Sequence, residues 1–374
     1  MNKVVLYLFI VIVIFFTHTS YLFAQANNKV GVHIFDPNEI DKVSDLVNTN
    51  GGDWGYVTVP LRADDRDRDK WQQFMHKCSQ YHLIPIIRLA TIIKGDYWSK
   101  PSEFDYIDFA NFLNDLDWPI KQRYVIVYNE PNHASEWGNE VNPNQYAHEL
   151  NRTITFFKEI NTDFFMLPAG LDAAAPNNAT HMNWKKYIYQ MWSATSDSLT
   201  KLDGWNSHSY PNPAFSGSPN DKHDHSIRSY QYEIQLYRQL TGKDIPIFIT
   251  ETGWSNQNIS NDNVANYLKQ AFTTVWNSEQ IMAVTPFVLQ AGAGPFVPFS
   301  LLDSSGNPKP QYQTLKWLSK VKGNPQLNTI NLSKPILGTS ITATPSAQPK
   351  LMNSSQKKLY DTLELITTWL KGAN

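Results

Sequence analysis

The chain is poor in cysteine and in net charge, and both shortages limit what it can be. Its 374 residues include one cysteine, Cys78, so no disulfide within the chain can hold the fold together. The formal net charge is only −2, which gives none of the strong field that draws proteins to nucleic acid or to an anionic membrane surface. We therefore predict no nucleic-acid partner.

Aromatic residues, in contrast, are abundant, with 12 Trp, 18 Tyr and 19 Phe in a chain that is only 18% charged. Many of these rings belong in a core. Tyr and Trp also combine an apolar face with a polar group, and such rings suit a cleft that stacks on sugars. Composition alone thus permits a carbohydrate-binding cleft without requiring one.

The N-terminus has the pattern of a secretory signal peptide. Lys3 precedes an apolar run over 4–16, and Ala-Gln-Ala at 24–26 supplies small residues for a cleavage site. We predict that residues 1–26 are removed and that the protein is secreted or lies in the cell envelope. The alternative is an uncleaved signal anchor, because the apolar residues together approach the ~20 that a bilayer span needs. Only then would the protein be bound to a membrane.

Eight short apolar runs follow this segment, each rich in branched or aromatic residues. They are nearly continuous rather than alternating, which is the pattern of strands buried on both faces of a parallel sheet. The runs cover residues 29–35, 55–61, 83–89, 124–128, 164–169, 202–208, 245–250 and 283–289.

Segments of helical period separate these runs, so strand and helix alternate along the chain. Eight such units in about 300 residues predict a (β/α)₈ TIM barrel, a single α/β domain over residues 27–325. An open doubly wound sheet is the alternative, but no glycine-rich phosphate loop follows the first run. The predicted helices cover 71–78, 107–116, 146–160 and 232–240, and Gly242 is expected to end the last of them.

The chain changes in composition beyond the barrel. Ser, Thr, Pro, Lys and Asn are frequent over residues 326–356, which we predict to be a linker. Apolar residues then recur at helical spacing, so residues 357–374 are predicted to form a short amphipathic helix.

Two glutamates stand at the ends of predicted strands, where barrel enzymes place their functional side chains. Glu130 follows the charge-free run of the fourth strand, and Glu251 follows that of the seventh. Two carboxyl groups at the mouth of one barrel suit cleavage of a glycosidic bond: one protonates the leaving oxygen, and the other stays ionised to attack the anomeric carbon or to activate water. Burial and like-charge proximity would push their pKa values apart. Glu136, in the loop after the first glutamate, is predicted to be a solvated loop residue.

The segments around both glutamates resemble those of clan A glycoside hydrolases, which are (β/α)₈ enzymes, and the likeness covers most of residues 29–320. Asn-Glu-Pro at 129–131 is similar to the motif of cellulase-type (family 5) and xylosidase-type (family 39) members. Glu-Thr-Gly-Trp at 251–254 is similar to the nucleophile segment of plant-type β-1,3-glucanases. His-Ser-Tyr at 208–210 resembles the clan's His-x-Tyr pair, and residues 302–312 resemble the stretch after the eighth strand.

The resemblance implies a retaining double displacement with Glu130 as general acid/base and Glu251 as nucleophile. It also implies that Asn129 binds the sugar's 2-hydroxyl, an interaction that strengthens in the transition state. Tyr210 and His208 would hold the nucleophile ionised and oriented, although a packed core histidine is the alternative for His208. The implied substrate is a polysaccharide or oligosaccharide, with β-glucan favoured.

Three basic residues end the first three predicted strands. Family 5 enzymes carry an arginine beside the nucleophile, so the resemblance implies that Arg62 or Arg88 keeps Glu251 ionised by Coulomb attraction. For Arg62, a pair with the acidic run over 64–69 is an almost equal alternative. His33, at the end of the first strand, is a further candidate.

The clan usually places a Trp after the eighth strand as a floor for the sugar, and this chain has none there. The resemblance implies that Phe287 or Phe296 substitutes for it, or that Gln290 forms a hydrogen bond instead. Trp137 and Trp254 each follow one of the two glutamates within a few residues, so we predict that they stack on the substrate.

Two other functions compete with a glycosidase. A catalytically silent sugar-binding barrel of the envelope would keep the aromatic residues, but only an enzyme needs both glutamates. A barrel enzyme for phosphorylated substrates would use a glycine-rich site, which Ala-Gly-Ala-Gly at 291–294 could imitate, but it would leave the glutamate pair unexplained. We therefore predict a secreted retaining β-glycosidase that needs no metal and no cofactor.

Overall fold

Eight parallel strands form the centre of the molecule. In the computed structural model, which describes residues 27–328, each strand overlaps one of the eight predicted apolar runs, although the last shares only residues 283–284 with its run. The strands are β1 (Gly31–His33), β2 (Gly55–Arg62), β3 (Leu83–Ala90), β4 (Arg123–Val127), β5 (Phe164–Pro168), β6 (Trp205–His208), β7 (Ile247–Glu251) and β8 (Ile281–Val284).

The strands follow one another in chain order around a barrel. β1 to β5 form one parallel sheet, and β6 to β8 form a second. Isolated bridges join the sheets at both seams: Val30 pairs with Val284, and Asp172 pairs with His208. The main-chain N–H of Val284 also donates to the carbonyl of Lys29 at 2.8 Å across the first seam. The predicted (β/α)₈ architecture is therefore confirmed.

Helices connect the strands, and the four predicted helical segments are all present. The helices are α1 (Val43–Asn48), α2 (Arg68–Gln80), α3 (Asp105–Asn114), α4 (Pro143–Ile160), α5 (Trp184–Ala194), α6 (Asp197–Thr200), α7 (Ser229–Thr241), α8 (Asn261–Gln270) and α9 (Pro310–Trp317). Gly242 ends α7 with a φ of 70°, a left-handed conformation that glycine adopts without strain. A short antiparallel hairpin, Ile93–Lys94 with Tyr97–Trp98, follows β3.

Alternate residues of each strand face two different cores. On β2, Val57 belongs to the large apolar cluster that includes the helices, whereas Tyr56 belongs to a smaller cluster inside the barrel. On β4, Val125 and Val127 likewise face the helices, and Tyr124 faces the interior. Because both faces are buried, the strands read as continuous apolar runs. Polar side chains collect at the carboxyl ends of the strands, above the interior cluster.

Residues 326–328, predicted to begin the linker, instead continue the barrel unit. The main-chain N–H of Lys121, just before β4, donates to the carbonyl of Gln326 at 2.7 Å. The side chain of Asn328 donates to the carbonyl of Ile120 at 3.0 Å. The predicted signal segment, the rest of the linker and the C-terminal helix lie outside the described residues. Within residues 27–328, no helix is both long enough and apolar enough to cross a membrane.

Candidate active site

A cleft of about 510 Å³ opens at the carboxyl ends of the strands. Polar side chains from the ends of β2 to β5 line one arc of the barrel mouth. Phenylalanine rings after β1, β6 and β8 line the opposite arc. The polar set is Arg62, Arg88, Asn129, Glu130, His133, Glu136 and Asp172, and the second arc holds Phe35, Tyr210, Phe215, Glu251, Phe287, Phe296 and Phe299.

Glu251, the last residue of β7, is held by side chains from three other parts of the barrel. It forms an ion pair with Arg88 from β3. The hydroxyl of Tyr210, after β6, donates a hydrogen bond to its Oε2 at 3.1 Å. Nε2 of His33, at the end of β1, lies 3.7 Å from its Oε1. The carboxylate is therefore fixed in one orientation at the base of the cleft.

These contacts keep Glu251 ionised. Burial alone would raise the pKa of this carboxyl, but the charges of His208 and Arg88 outweigh burial and hold the pKa well below its usual value. Burial lowers the pKa of His33 to about 3, so its ring is neutral at neutral pH. A buried carboxylate that remains ionised is suited to nucleophilic attack.

Glu130 leaves β4 through a strained turn. Tyr128 has a φ of 70° and Glu130 a φ of 31°, both in the left-handed region that residues other than glycine rarely adopt. The main-chain N–H of Glu130 donates to the carbonyl of Gly170, after β5, at 3.1 Å. Backbone strain of this kind clusters at functional sites, where surrounding contacts hold it in place. Here the turn brings the carboxyl group of Glu130 into the cleft.

His208, the last residue of β6, is hydrogen-bonded to Glu130 rather than to Glu251, so its predicted orienting role is corrected, while its charge does favour the ionised form of Glu251. Its Nδ1 lies 2.7 Å from Oε1 of Glu130 and 3.8 Å from Oε2 of Glu251. Burial lowers the pKa of His208, but the two carboxylates outweigh burial and raise the pKa above its usual value. A Cβ on Gly170 would lie 2.1 Å from this ring, so only glycine fits there.

Glu130, His208 and Glu251 could also hold a cation. Each offers one ligand atom, and the three atoms lie within 4.8 Å of one another. Without a cation, Nδ1 of His208 is already hydrogen-bonded to Glu130 and lies close to the carboxylate of Glu251. That no metal is required therefore stays a prediction.

Asn129 is held between Arg88 and Glu136. Nη1 of Arg88 donates to Oδ1 of Asn129 at 2.6 Å, and Nδ2 of Asn129 donates to Oε2 of Glu136 at 3.2 Å. Because a guanidinium group has only donors, the amide must turn its oxygen towards Arg88 and its NH₂ group towards Glu136. Glu136 lines the cleft, so the prediction that it is a solvated loop residue is wrong.

Glu136 should make the stability of the fold depend on pH. Burial and the charge of Glu130 raise the pKa of Glu136 to about 7, from a usual value of 4.5. Because the folded pKa is the higher one, this carboxyl stabilises the fold at low pH. This contribution to the free energy of unfolding, on the order of 2 kcal/mol, is lost as the pH rises through 7. Glu136→Gln cannot ionise, so its unfolding temperature relative to wild type should rise between about pH 5 and about pH 8.5.

Glu140→Gln is the matched control for this measurement. Glu140 lies on the same loop, is exposed, and forms an ion pair with Lys100. Its removal should change the unfolding temperature equally at both pH values. A pH-independent offset for Glu136→Gln would show that its carboxyl does not titrate near neutrality.

Arg88, rather than Arg62, contacts the nucleophile candidate. The side chain of Arg62 is 49% exposed and donates two hydrogen bonds to Asp64, at 2.8 and 2.6 Å. Arg62 therefore pairs with the acidic run, and the prediction that it lies beside Glu251 is wrong. Arg62 still lines the rim of the cleft.

Trp137 and Trp254 do not line the cleft, and the prediction that they stack on the substrate is wrong. Each is only 1% exposed. Trp137 packs edge-on against Tyr128, with ring centroids 5.6 Å apart. Trp254 packs against Trp276 and donates its indole N–H to the carbonyl of Gly217 at 2.7 Å. Both are core residues. Trp98, on the hairpin after β3, is the tryptophan that lines the cleft.

Phenylalanines line the cleft after β8, where the clan usually has a tryptophan. Phe287 lies after β8, with its ring centroid 5.4 Å from that of Phe35 and 5.2 Å from that of Phe296. Phe299 continues the group, with ring centroids 6.1 Å from Phe287 and 5.1 Å from Phe215. The rings meet edge to face, which is a favourable arrangement for aromatic pairs. The sequence predicted only two members of this wall.

A second polar pair in the cleft, His133 and Asp172, was not predicted from the sequence. Nε2 of His133 lies 2.8 Å from Oδ2 of Asp172. Burial lowers the pKa of His133, but its hydrogen bond to Asp172 and the charge of Glu130 outweigh burial and raise the pKa. His133 and Asp172 lie within six residues of the ends of β4 and β5, and that position was the available signal.

A barrel that carries two close carboxylates at its strand ends, one of them in an Asn-Glu pair, has the fold of the clan A glycoside hydrolases. A model of the glycosyl hydrolase catalytic core matches residues 97–314, more than half of the chain, and the chain belongs to this family. The predicted membership of the glycoside hydrolases is therefore confirmed. No curated protein matches the chain significantly.

Solved structures with the same fold come from several glycoside hydrolase families. A family 39 enzyme from the gut symbiont Bacteroides cellulosilyticus WH2 has a TM-score of 0.57 and 17% identity, over 79% of this chain and 64% of that one. A family 39 β-xylosidase from Caulobacter crescentus has a TM-score of 0.55 and 14% identity, over 78% and 71%. A family 128 endo-β-1,3-glucanase from Sorangium cellulosum has a TM-score of 0.51 and 14% identity, over 77% and 97%. The chain thus spans just under two thirds of the first of these relatives.

Proposed function

We propose that the protein is an exported retaining β-glycosidase that cleaves β-glucan by double displacement. The observation that carries this proposal is the spacing of the two carboxylates. One oxygen of Glu130 and one of Glu251 lie within 4.8 Å of each other. Retaining enzymes hold the two carboxyl groups about 5–5.5 Å apart, whereas inverting enzymes leave about 6.5–9.5 Å for a water molecule.

In the first step, Glu251 attacks the anomeric carbon while Glu130 gives its proton to the departing glycosidic oxygen. The ion pair with Arg88 and the hydrogen bond from Tyr210 support this role, because they keep the attacking carboxylate ionised and oriented. The C–O bond to the leaving sugar breaks as the ester bond to Glu251 forms.

In the second step, Glu130, now ionised, takes a proton from a water molecule that attacks the same carbon from the opposite face. The bond to Glu251 breaks, and the sugar leaves with its original configuration. His208 supports this exchange of roles because its ring is hydrogen-bonded to Glu130 and close to both carboxylates.

β-Glucan is the favoured substrate because Glu-Thr-Gly-Trp at 251–254 resembles the nucleophile segment of β-1,3-glucanases. One similar structure is an endo-β-1,3-glucanase, while another is a β-xylosidase, so a xylan is the comparison substrate. Export rests on the signal-peptide pattern of residues 1–26.

The proposal is tested by following hydrolysis of a β-1,3-glucan oligosaccharide, xylan and mannan by ¹H NMR from the first minutes of reaction. A retaining enzyme releases the β-anomer first, and the α-anomer appears only by later mutarotation. Release of the α-anomer first would overturn the retaining mechanism. Tight oligosaccharide binding without hydrolysis would favour the silent sugar-binding barrel.

A further inference from the structure

Glu136 is a third glutamate in the cleft, and the double displacement does not use it. It ends the short 3₁₀ turn Ala134–Glu136 after β4 and lines the cleft with Asn129 and Glu130. In the described part of the chain, its carboxyl group accepts one hydrogen bond, from Asn129, and no cation forms an ion pair with it. Burying the ionised form without an ion pair is costly, which is why the pKa of this carboxyl is raised, and a ligand group that donates to the ionised form would offset that cost.

The orientation of Asn129 leaves a matched donor and acceptor facing the cleft. Arg88 fixes the amide oxygen, and one N–H of the amide is directed at Oε2 of Glu136. The second N–H of Asn129 and Oε1 of Glu136 have no partner within residues 27–328. A hydroxyl group can accept from the first and donate to the second at the same time.

This donor–acceptor pair lies close to the reacting carbon. Asn129 is hydrogen-bonded to Arg88, and Arg88 is paired with Glu251, so Asn129 is two contacts away from the nucleophile and Glu136 is three. The hydroxyl nearest to the carbon that Glu251 attacks is the one on the adjacent carbon, C2.

From these contacts we infer that Glu136 is a substrate-binding residue that accepts a hydrogen bond from the 2-hydroxyl of the sugar at the cleavage point. The inference rests on the proposed glycosidase function and narrows its substrate class. The sugar at the cleavage point then carries a free 2-hydroxyl and not a 2-acetamido group, because an amide nitrogen can donate to Glu136 but cannot accept from Asn129. Bonds to this hydroxyl strengthen as positive charge develops on the ring, and Glu136 stabilises that charge most at pH values above its raised pKa, where it is ionised.

The test compares one substrate with and without the hydroxyl. The probes are the 4-nitrophenyl β-glycoside that the wild type cleaves fastest, its 2-deoxy analogue and its 2-acetamido-2-deoxy analogue. Glu136→Ala should lower kcat/KM about 100-fold on the parent glycoside, the loss expected for a hydrogen bond to a charged group. On the 2-deoxy analogue the loss should be within about threefold, since no hydroxyl is there to lose a partner.

Glu136→Gln should recover much of the activity because its amide oxygen still accepts, and Glu140→Gln should match wild type.

A second comparison separates direct contact from an effect through Asn129. In an Asn129→Ala background, Glu136→Ala should still cost at least about fivefold on the parent glycoside, because the hydroxyl loses a further acceptor. No additional loss would show that Glu136 only positions Asn129, which overturns the inference. An equal loss on parent and 2-deoxy substrates, or faster wild-type cleavage of the acetamido analogue, would also overturn it.

The failure of this inference differs from failure of the proposed function. Suppose that Glu130→Ala and Glu251→Ala abolish hydrolysis, but that Glu136→Ala lowers kcat/KM equally with and without the 2-hydroxyl. Then only the proposed role of Glu136 is wrong. If the wild type cleaves none of the glycosides, both are wrong.

Discussion

Glu251→Ala is expected to lower kcat/KM for the best oligosaccharide by on the order of 10⁵-fold or more, because it removes the group that forms the covalent intermediate. The nearby groups cannot replace it: Tyr210 and Arg88 are donors to this carboxylate, and His33 is neutral beside it. The initial rate of reducing-sugar release measures the effect. Glu251→Gln should be equally inactive while keeping the shape of the side chain, which separates lost chemistry from lost packing.

Azide should restore activity to Glu251→Ala and reveal the stereochemistry. The anion can enter the space left by the carboxylate and attack the anomeric carbon of an aryl β-glycoside, which gives the α-glycosyl azide by a single displacement. Tyr210→Phe is the control, since it keeps the nucleophile and removes one hydrogen bond. It should lose about tenfold and form no azide product. A β-glycosyl azide from Glu251→Ala would instead assign the nucleophile to another residue.

The barrel could be predicted from the sequence because each of its strands is buried on both faces. The run that ends at Tyr128 has no charge, since Val125 and Val127 pack against helices while Tyr124 fills the interior. In the fourth and seventh runs, a charged residue then appears only where the strand leaves this environment. That is why Glu130 and Glu251 could be located at strand ends without a structure.

The partners of these carboxylates could not be predicted, because they depend on the directions of side chains. Arg62 and Arg88 both lie near the ends of strands. Asp64, two residues after Arg62, accepts hydrogen bonds from the Arg62 guanidinium group. Arg88 has no acidic neighbour in its own segment and reaches Glu251 across the barrel. An arginine that already pairs with a carboxylate in its own segment is not available to Glu251, so the arginine without such a partner forms the ion pair.

The errors at Glu136 and Trp137 both lie in the irregular segment after β4, which contains the positive φ values of Tyr128 and Glu130 and the 3₁₀ turn Ala134–Glu136. At the end of that turn Glu136 lines the cleft, while the adjacent Trp137 is buried in the core. Sequence reasoning assigned these two residues the reverse positions, because a backbone conformation that side chains rarely adopt leaves no periodic signal.

Glu130→Ala is expected to separate substrates by the quality of their leaving groups, because Glu130 supplies a proton only where the departing oxygen needs one. For an oligosaccharide, whose leaving group is a poor one, kcat/KM should fall by on the order of 10⁴-fold. For a 2,4-dinitrophenyl glycoside, the first step should proceed almost normally, since dinitrophenolate leaves without protonation. The second step still lacks its base, so the glycosyl-enzyme should accumulate as a burst of dinitrophenolate with a lowered KM.

Azide distinguishes this variant from the nucleophile variant by the configuration of the product. In Glu130→Ala the nucleophile Glu251 is still present, so azide attacks the glycosyl-enzyme rather than the substrate. Two displacements then give the β-glycosyl azide, opposite to the product expected from Glu251→Ala. His208 would lose its hydrogen-bond partner in this variant, so thermal unfolding should be followed alongside the kinetics. If activity on oligosaccharide and dinitrophenyl substrates fell by the same factor, with no burst, Glu130 would not be the acid/base.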